Sequence, residues 1–181
     1  IKDFTDFCIK DDSGRQLAAV SAVCCLWGTL YMLSKSSDNE RQLVLCDSQI
    51  NEGDPIFLDI GNHQPVSLFG GRSHSACICR EGEIIFINRD SIIKSPKSPI
   101  AAVSLPDGEK ASSVACCKDS VVVLSSNGRV FASPTKSNVV LNFTVVPELS
   151  DQEIVCVSGV SDHVLAVNKE GRVFGRGSNI C

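Results

Sequence analysis

No stretch of this chain is apolar for the roughly 20 consecutive residues that a membrane-spanning helix requires. The longest apolar run, from Leu17 to Leu33, is broken by Ser21, Gly28 and Thr29 and reads as two strands, so a membrane is not an expected partner. Excess positive charge is also missing. Lysine and arginine number 17 against 21 acids, the net charge is −4 and the pI about 5.3. The chain therefore lacks the basic footprint of a duplex-binding surface, and nucleic acid is not expected either. Catalytic signatures are absent. There is no G-x-S-x-G elbow, no G-x-x-x-x-G-K-[ST] loop and no G-x-G-x-x-G run; Gly175-Arg176-Gly177 has no third glycine and no helix after it. The expectation is a chain without catalytic residues, bound cofactor or metal. It opens on Ile1-Lys2-Asp3, with neither an initiating methionine nor a charged-then-apolar leader, which suggests no signal peptide and a piece of a longer protein.

Cysteine, by contrast, is abundant at ten residues, yet its spacing suits neither disulfides nor zinc. No C-x-x-C knuckle occurs. The adjacent pairs Cys24-Cys25 and Cys116-Cys117 point to opposite faces of a strand, whereas Cys77 and Cys79 share one face that His74 does not. These residues read as small buried hydrophobes in a reducing, intracellular compartment, cytoplasmic or nuclear. Asn142-Phe143-Thr144 matches a glycosylation sequon, a weak signal without a secretory leader.

What the chain does have is a repeat. With Gly28, Gly82, Gly128 and Gly171 as origins, the fourth to sixth positions before are apolar: Ala22-Val23-Cys24, Ala76-Cys77-Ile78, Val122-Val123-Leu124 and Leu165-Ala166-Val167. So are the second and third positions after: Leu30-Tyr31, Ile84-Ile85, Val130-Phe131 and Val173-Phe174. The glycines stand 54, 46 and 43 residues apart, a period proper to propellers and repeat arrays. Each is expected at the vertex of a hairpin, and Asn127-Gly128 in particular favours a turn with both central residues at positive φ. Short β-rich segments recur throughout, no segment shows helical periodicity over three turns, and the polar stretches 34–42, 49–55 and 90–99 read as loops. A single hairpin cannot bury both faces, so such units must stack. About four antiparallel strands per period describes an all-β propeller of four-stranded blades, with three to four blades in residues 1–181 as one domain.

The segment Val155 to Asn179 resembles the repeat of the regulator of chromosome condensation family. Gly159, His163, Gly171, Phe174, Gly177 and Asn179 stand at its motif positions, and Gly70, His74 and Gly82 match the first half of a second copy. The copy around Gly128 has Ser120 in the histidine place, and the one around Gly28 has Val20. The resemblance implies a seven-bladed ring, of which this chain would supply part. Completion by further chain, by a second chain as in a homodimer, or a ring of fewer blades all remain open.

It also implies protein binding, since the family's best-known member is an exchange factor for a small nuclear GTPase and many relatives are scaffold or regulatory domains. The expected function is a non-catalytic interaction scaffold within a larger protein, with exchange on a small GTPase as the alternative. Structural roles are expected for His74 and His163 at equivalent repeat places, and His63 sits in a loop with no recognisable partner. The acids Asp38, Glu40, Glu52, Asp54 and Asp107 could meet a basic partner. Ser95, Ser98 and Ser133, each followed by proline, resemble targets of proline-directed kinases.

Overall fold

Hairpin follows hairpin along the chain, and the strands gather into four antiparallel sheets. The computed structural model describes residues 18–25, 28–35, 40–46, 55–71, 74–95, 98–135 and 141–177. The first sheet runs β1 (Ala18–Cys25), β2 (Gly28–Lys35), β3 (Glu40–Cys46) and β4 (Ile56–Phe57). The second runs β5 (Pro65–Gly70), β6 (His74–Cys79), β7 (Ile84–Asn88) and β8 (Ala102–Val103). The third holds β9 (Ala111–Cys116), β10 (Ser120–Ser125), β11 (Val130–Pro134) and β12 (Thr144–Val145). The fourth shows three strands, β13 (Ile154–Val160), β14 (His163–Asn168) and β15 (Val173–Arg176). Within each sheet, sequential strands are neighbours.

The sheets pack face to face as propeller blades. Ala76, Ile78 and Ile84 of the second sheet meet Val114, Val121, Val123 and Phe131 of the third. Cys77, Cys79, Ile85 and Ile87, the alternating residues of the same strands, meet Leu43 and Leu45 of the first. Val122, Leu124 and Val130 repeat the arrangement against Ile154, Val157 and Ala166 of the fourth. Side chains alternate across a strand, so a sheet covered on both faces must be apolar at every position, which is why Val121-Val122-Val123-Leu124 shows no polar alternation. The first strands β1, β5, β9 and β13 lie beside one another in successive sheets, which puts them nearest the common centre and the fourth strands outside. Cys116 and Cys117 do face opposite ways, Cys116 into the cluster with the second sheet and Cys117 toward the His163 carbonyl of the fourth.

Three vertex glycines adopt one turn. Gly82, Gly128 and Gly171 have φ of 91°, 79° and 80°, and each N–H donates to the carbonyl three residues back, on Cys79, Ser125 and Asn168. The connection is a three-residue loop closed by a left-handed glycine, so the type expected at Asn127-Gly128 is corrected: only the glycine has positive φ.

Gly28 is a larger correction. Cys25 pairs with Gly28, placing this glycine between the first and second strands of its sheet, at the end opposite the other vertices and in the place His74 holds in the second sheet. β2 and β3 are joined through residues 36 to 39, which lie outside the described residues, and the position two before β3, where the other vertex glycines stand relative to their strands, is 44 residues ahead of Gly82, close to the following 46 and 43. The apolar residues flanking Gly28 imitated the pattern because β1 and β2, on either side of it, are both largely apolar. A second difference is α1 (Arg89–Lys94), one and a half turns inside the expected loop 90–99, which inserts Ile92 into the cluster between the first two sheets.

Replacing a vertex glycine by alanine tests this geometry. A left-handed residue with a Cβ costs about 1–2 kcal/mol. At Gly171 the added carbon meets nothing within 4 Å, whereas at Gly82 it falls 2.6 Å from Cβ and 2.8 Å from Cα of Lys110. Urea unfolding is expected to show Gly82→Ala at least twice as destabilising as Gly171→Ala.

Candidate interaction surface

The two ends of the blades carry the polar residues that the faces exclude. At the vertex end, the linker into each sheet is stitched to the hairpin above it by the same bond. Arg80, Ser126 and Lys169 donate their N–H groups to the carbonyls of Gln64, Lys110 and Glu153 at 2.8, 2.8 and 2.9 Å. Successive blades are joined similarly, with Ala111 N–H on the Gly82 carbonyl and Ile154 N–H on that of Gly128, both at 3.1 Å.

On this backbone lattice sits a recurring pair of side chains, one just before the first strand and one just after the vertex glycine. In the third sheet it is Glu109 and Arg129, 3.1 Å apart, with Asp107 3.4 Å from the same guanidinium. In the second sheet the polarity is reversed, and His63 Nδ1 lies 3.7 Å from Glu83. His63 is therefore not partnerless, as its loop position suggested; its partner comes from β-hairpin residues 20 positions on and was invisible without the register. In the fourth sheet the places hold Gln152 and Arg172, and Gln152 turns instead to Asn168. Arg129 and Arg172 both lie over the phenylalanine two residues on, 5.3 Å from Phe131 and 5.4 Å from Phe174. Burial pushes the Glu109 carboxyl up, but bonds from Ser125, Arg129 and Asn127 and the Arg129 charge outweigh it and hold the group below its ordinary value.

Lys110–Glu81 at 3.4 Å and Lys169–Glu153 at 3.0 Å complete the set, both exposed. Such pairs contribute about 0–1 kcal/mol each, too little to explain so charged an end by stability. Asp107, Glu148, Asp151 and Glu170 are exposed around them and give this end an acidic excess. Of the acids singled out in the sequence, Asp107 alone is placed here; Asp38, Glu52, Asp54 and the side chain of Glu40 lie outside the described residues, as does Asn179.

The opposite end holds the motif histidines. His74 and His163 begin the second strand of their sheets, but their surroundings differ: His74 is 2% exposed and His163 is exposed. The His74 ring lies 4.7 Å from that of Phe86, bonds to the Ser120 carbonyl of the next sheet, and leaves Nε2 buried without a partner. Burial lowers its pKa to about 4, against the opposing pull of the Ser120 carbonyl and Asp119. Gly159, in β13, lets the third and fourth sheets approach: a Cβ there would stand 2.8 Å from Cys117 Sγ. Gly70 ends β5, and a Cβ on Gly177 would run into the His163 ring.

Cys77 donates toward Cys79, and that bond with burial raises the Cys77 pKa, whereas the same bond lowers that of Cys79 against its own burial; burial and then Asp162 raise that of Cys117. No group of three metal-capable side chains occurs among the described residues. Of the three Ser-Pro serines, Ser95 and Ser98 are exposed beside α1. Ser133 differs from them: it is 1% exposed, donates to the Pro134 carbonyl and accepts the Asn142 N–H at 2.9 Å.

No family model and no curated protein sequence matches the chain. Among solved structures it is similar to human WBSCR16, at 19% identity and a TM-score of 0.68 over 91% of this chain and 50% of that one. The CRINKLY WD40 ectodomain of the Arabidopsis thaliana receptor kinase ACR4 follows at 15% identity and 0.55, over 91% and 58%. The computationally designed Ika4 protein matches at 14% and 0.55, over 91% of this chain and 93% of that one. These likenesses bear on the fold, a β-propeller. The chain spans about half the length of WBSCR16.

The buried histidine predicts a pH dependence. An unfolded chain protonates His74 near pH 6.5 and the folded one near pH 4, so stability is full above 6.5 and is lost as pH falls toward 4, by up to about 3 kcal/mol. Urea midpoints measured across that range should fall for the native chain and stay flatter for His74→Gln.

Proposed function

We propose that this chain is a non-catalytic, protein-binding propeller segment, intracellular, whose vertex end receives a basic surface of a partner. The observation that supports this most directly is the end itself. Exposed ion pairs of small energetic worth stand on a rigid hydrogen-bonded lattice, surrounded by acids with an outward aspect. Held charges of one prevailing sign steer a partner of the other and fix its orientation more than they add affinity. Fold alone does not name the partner. Nucleotide exchange on a small GTPase is the second reading, resting on the motif resemblance and on the same acidic end.

Affinity capture from cell extract, comparing the native chain with Glu148→Lys/Asp151→Lys, tests the surface. These positions are exposed, so the circular dichroism and urea midpoint should not move, while the captured proteins are lost and native capture weakens with salt. An identical set captured by both chains would contradict the assignment. Addition of the native chain to a small GTPase loaded with labelled nucleotide separates the two readings: unchanged release supports the scaffold and accelerated release the exchange factor.

A further inference from the structure

Three serines precede a proline, and the fold gives the same dipeptide different settings. By sequence Ser133 is the best target for a proline-directed kinase, because Lys136 stands three residues on and offers a further charge contact, which Ser98-Pro99-Ile100-Ala101 lacks. The structure reverses that order. A kinase takes its acceptor on an exposed segment that can lie extended along the kinase's own cleft, so the serine must be free to leave its neighbours. Ser133 is not. It is 1% exposed in β11, in register with Val121 of β10, and its hydroxyl accepts the Asn142 N–H at 2.9 Å.

Ser98 lies in no helix or strand, on the connection between α1 and β8, and Ser98, Pro99 and Ala101 are all exposed. The connection is an arch on two apolar feet. Ile92 of α1, 4% exposed, and Ile100 both pack into the cluster between the first two sheets, and the Ile100 N–H donates to the Asp59 carbonyl at 2.8 Å. Between the feet, the Ser98 N–H makes a single turn bond, 3.1 Å from the Ser95 carbonyl. Ser95 is held differently. Its N–H donates to the Ser91 carbonyl at 3.0 Å and closes the last turn of α1, so the chain before it is helical rather than extended. Residues 94–101, KSPKSPIA, carry two lysines and no acid, so a phosphate there meets opposite charge within the arch.

We propose that Ser98 is a phosphorylation site of the folded chain, the acceptor for a proline-directed kinase, and that Ser133 is not. The Ser98 Oγ attacks the γ-phosphorus of ATP held by the kinase: the Oγ–P bond forms, the bond from that phosphorus to the bridging oxygen breaks, ADP leaves, and the hydroxyl proton passes to the kinase's catalytic carboxylate. The phosphate turns a positive arch negative while both apolar feet stay buried, so it marks the surface without opening the fold. This inference does not rest on the reading of the vertex end.

A purified cyclin-dependent kinase and ATP, applied to the folded 181-residue chain with the sites mapped by tandem mass spectrometry, test it. Ser98 should take phosphate at least about tenfold faster than Ser133, which is reached only through local opening of the third sheet. Synthetic peptides 93–103 and 128–138 separate fold from sequence: freed from the sheet, Ser133 should be accepted at least as well as Ser98. The urea midpoint of the modified chain should equal that of the unmodified one. Equal rates at Ser98 and Ser133 in the folded chain, phosphate confined to Ser95, none on Ser98, or a Ser133 peptide as inert as the folded site would each overturn the proposal.

Discussion

The second and third sheets are covered on both faces, and the rest of the structure follows from that constraint. Alternation across a strand sends Ile78 one way and Cys77 the other, so both must be apolar, and the polar residues of each blade are driven to its two ends. The same alternation sends Cys77 and Cys79 toward the first sheet and Cys116 toward the second. Close approach is the second half of the constraint: Gly159 against Cys117 and Gly82 against Lys110 show blades near enough that one methyl group would not fit.

The fold was legible because the repeat is local. Three residues of turn with a left-handed glycine, flanked by apolar pairs, identify a vertex in any sheet, and Gly82, Gly128 and Gly171 were found that way. Gly28 was misplaced for a physical reason. β1 and β2 are both largely apolar, so a glycine between the first and second strands has the same flanks as one between the second and third, and residues 36–39, Ser-Ser-Asp-Asn, between β2 and β3 contain no glycine. Only the pairing of Cys25 with Gly28 separates the cases. The short helix Arg89–Lys94 was missed because six residues are too few for a helical period to register.

The interaction surface was much less legible. Glu109 and Arg129, or His63 and Glu83, are 20 residues apart, and nothing in either segment announces the other. They meet because a linker and a hairpin are stitched together by backbone bonds whose register the sequence implies only after the blades are aligned. The acid stands before the first strand in the third sheet and after the vertex glycine in the second, so the lattice, not the particular pair, is what repeats. The histidines tell the same story from the other end: His74 and His163 share a motif place, but a following sheet covers only the first, and burial lowers the His74 pKa.

A double-mutant cycle on the third and fourth sheets tests the stacking most directly. Val122 lies in one cluster with Val157 of β13, whereas Val123, the next residue, lies in the cluster with the second sheet. The account predicts that Val122→Ala and Val157→Ala couple by about 0.5 kcal/mol or more in urea unfolding, and that Val123→Ala and Val157→Ala add to within about 0.3 kcal/mol. Coupling of Val123 with Val157, and none of Val122, would contradict it.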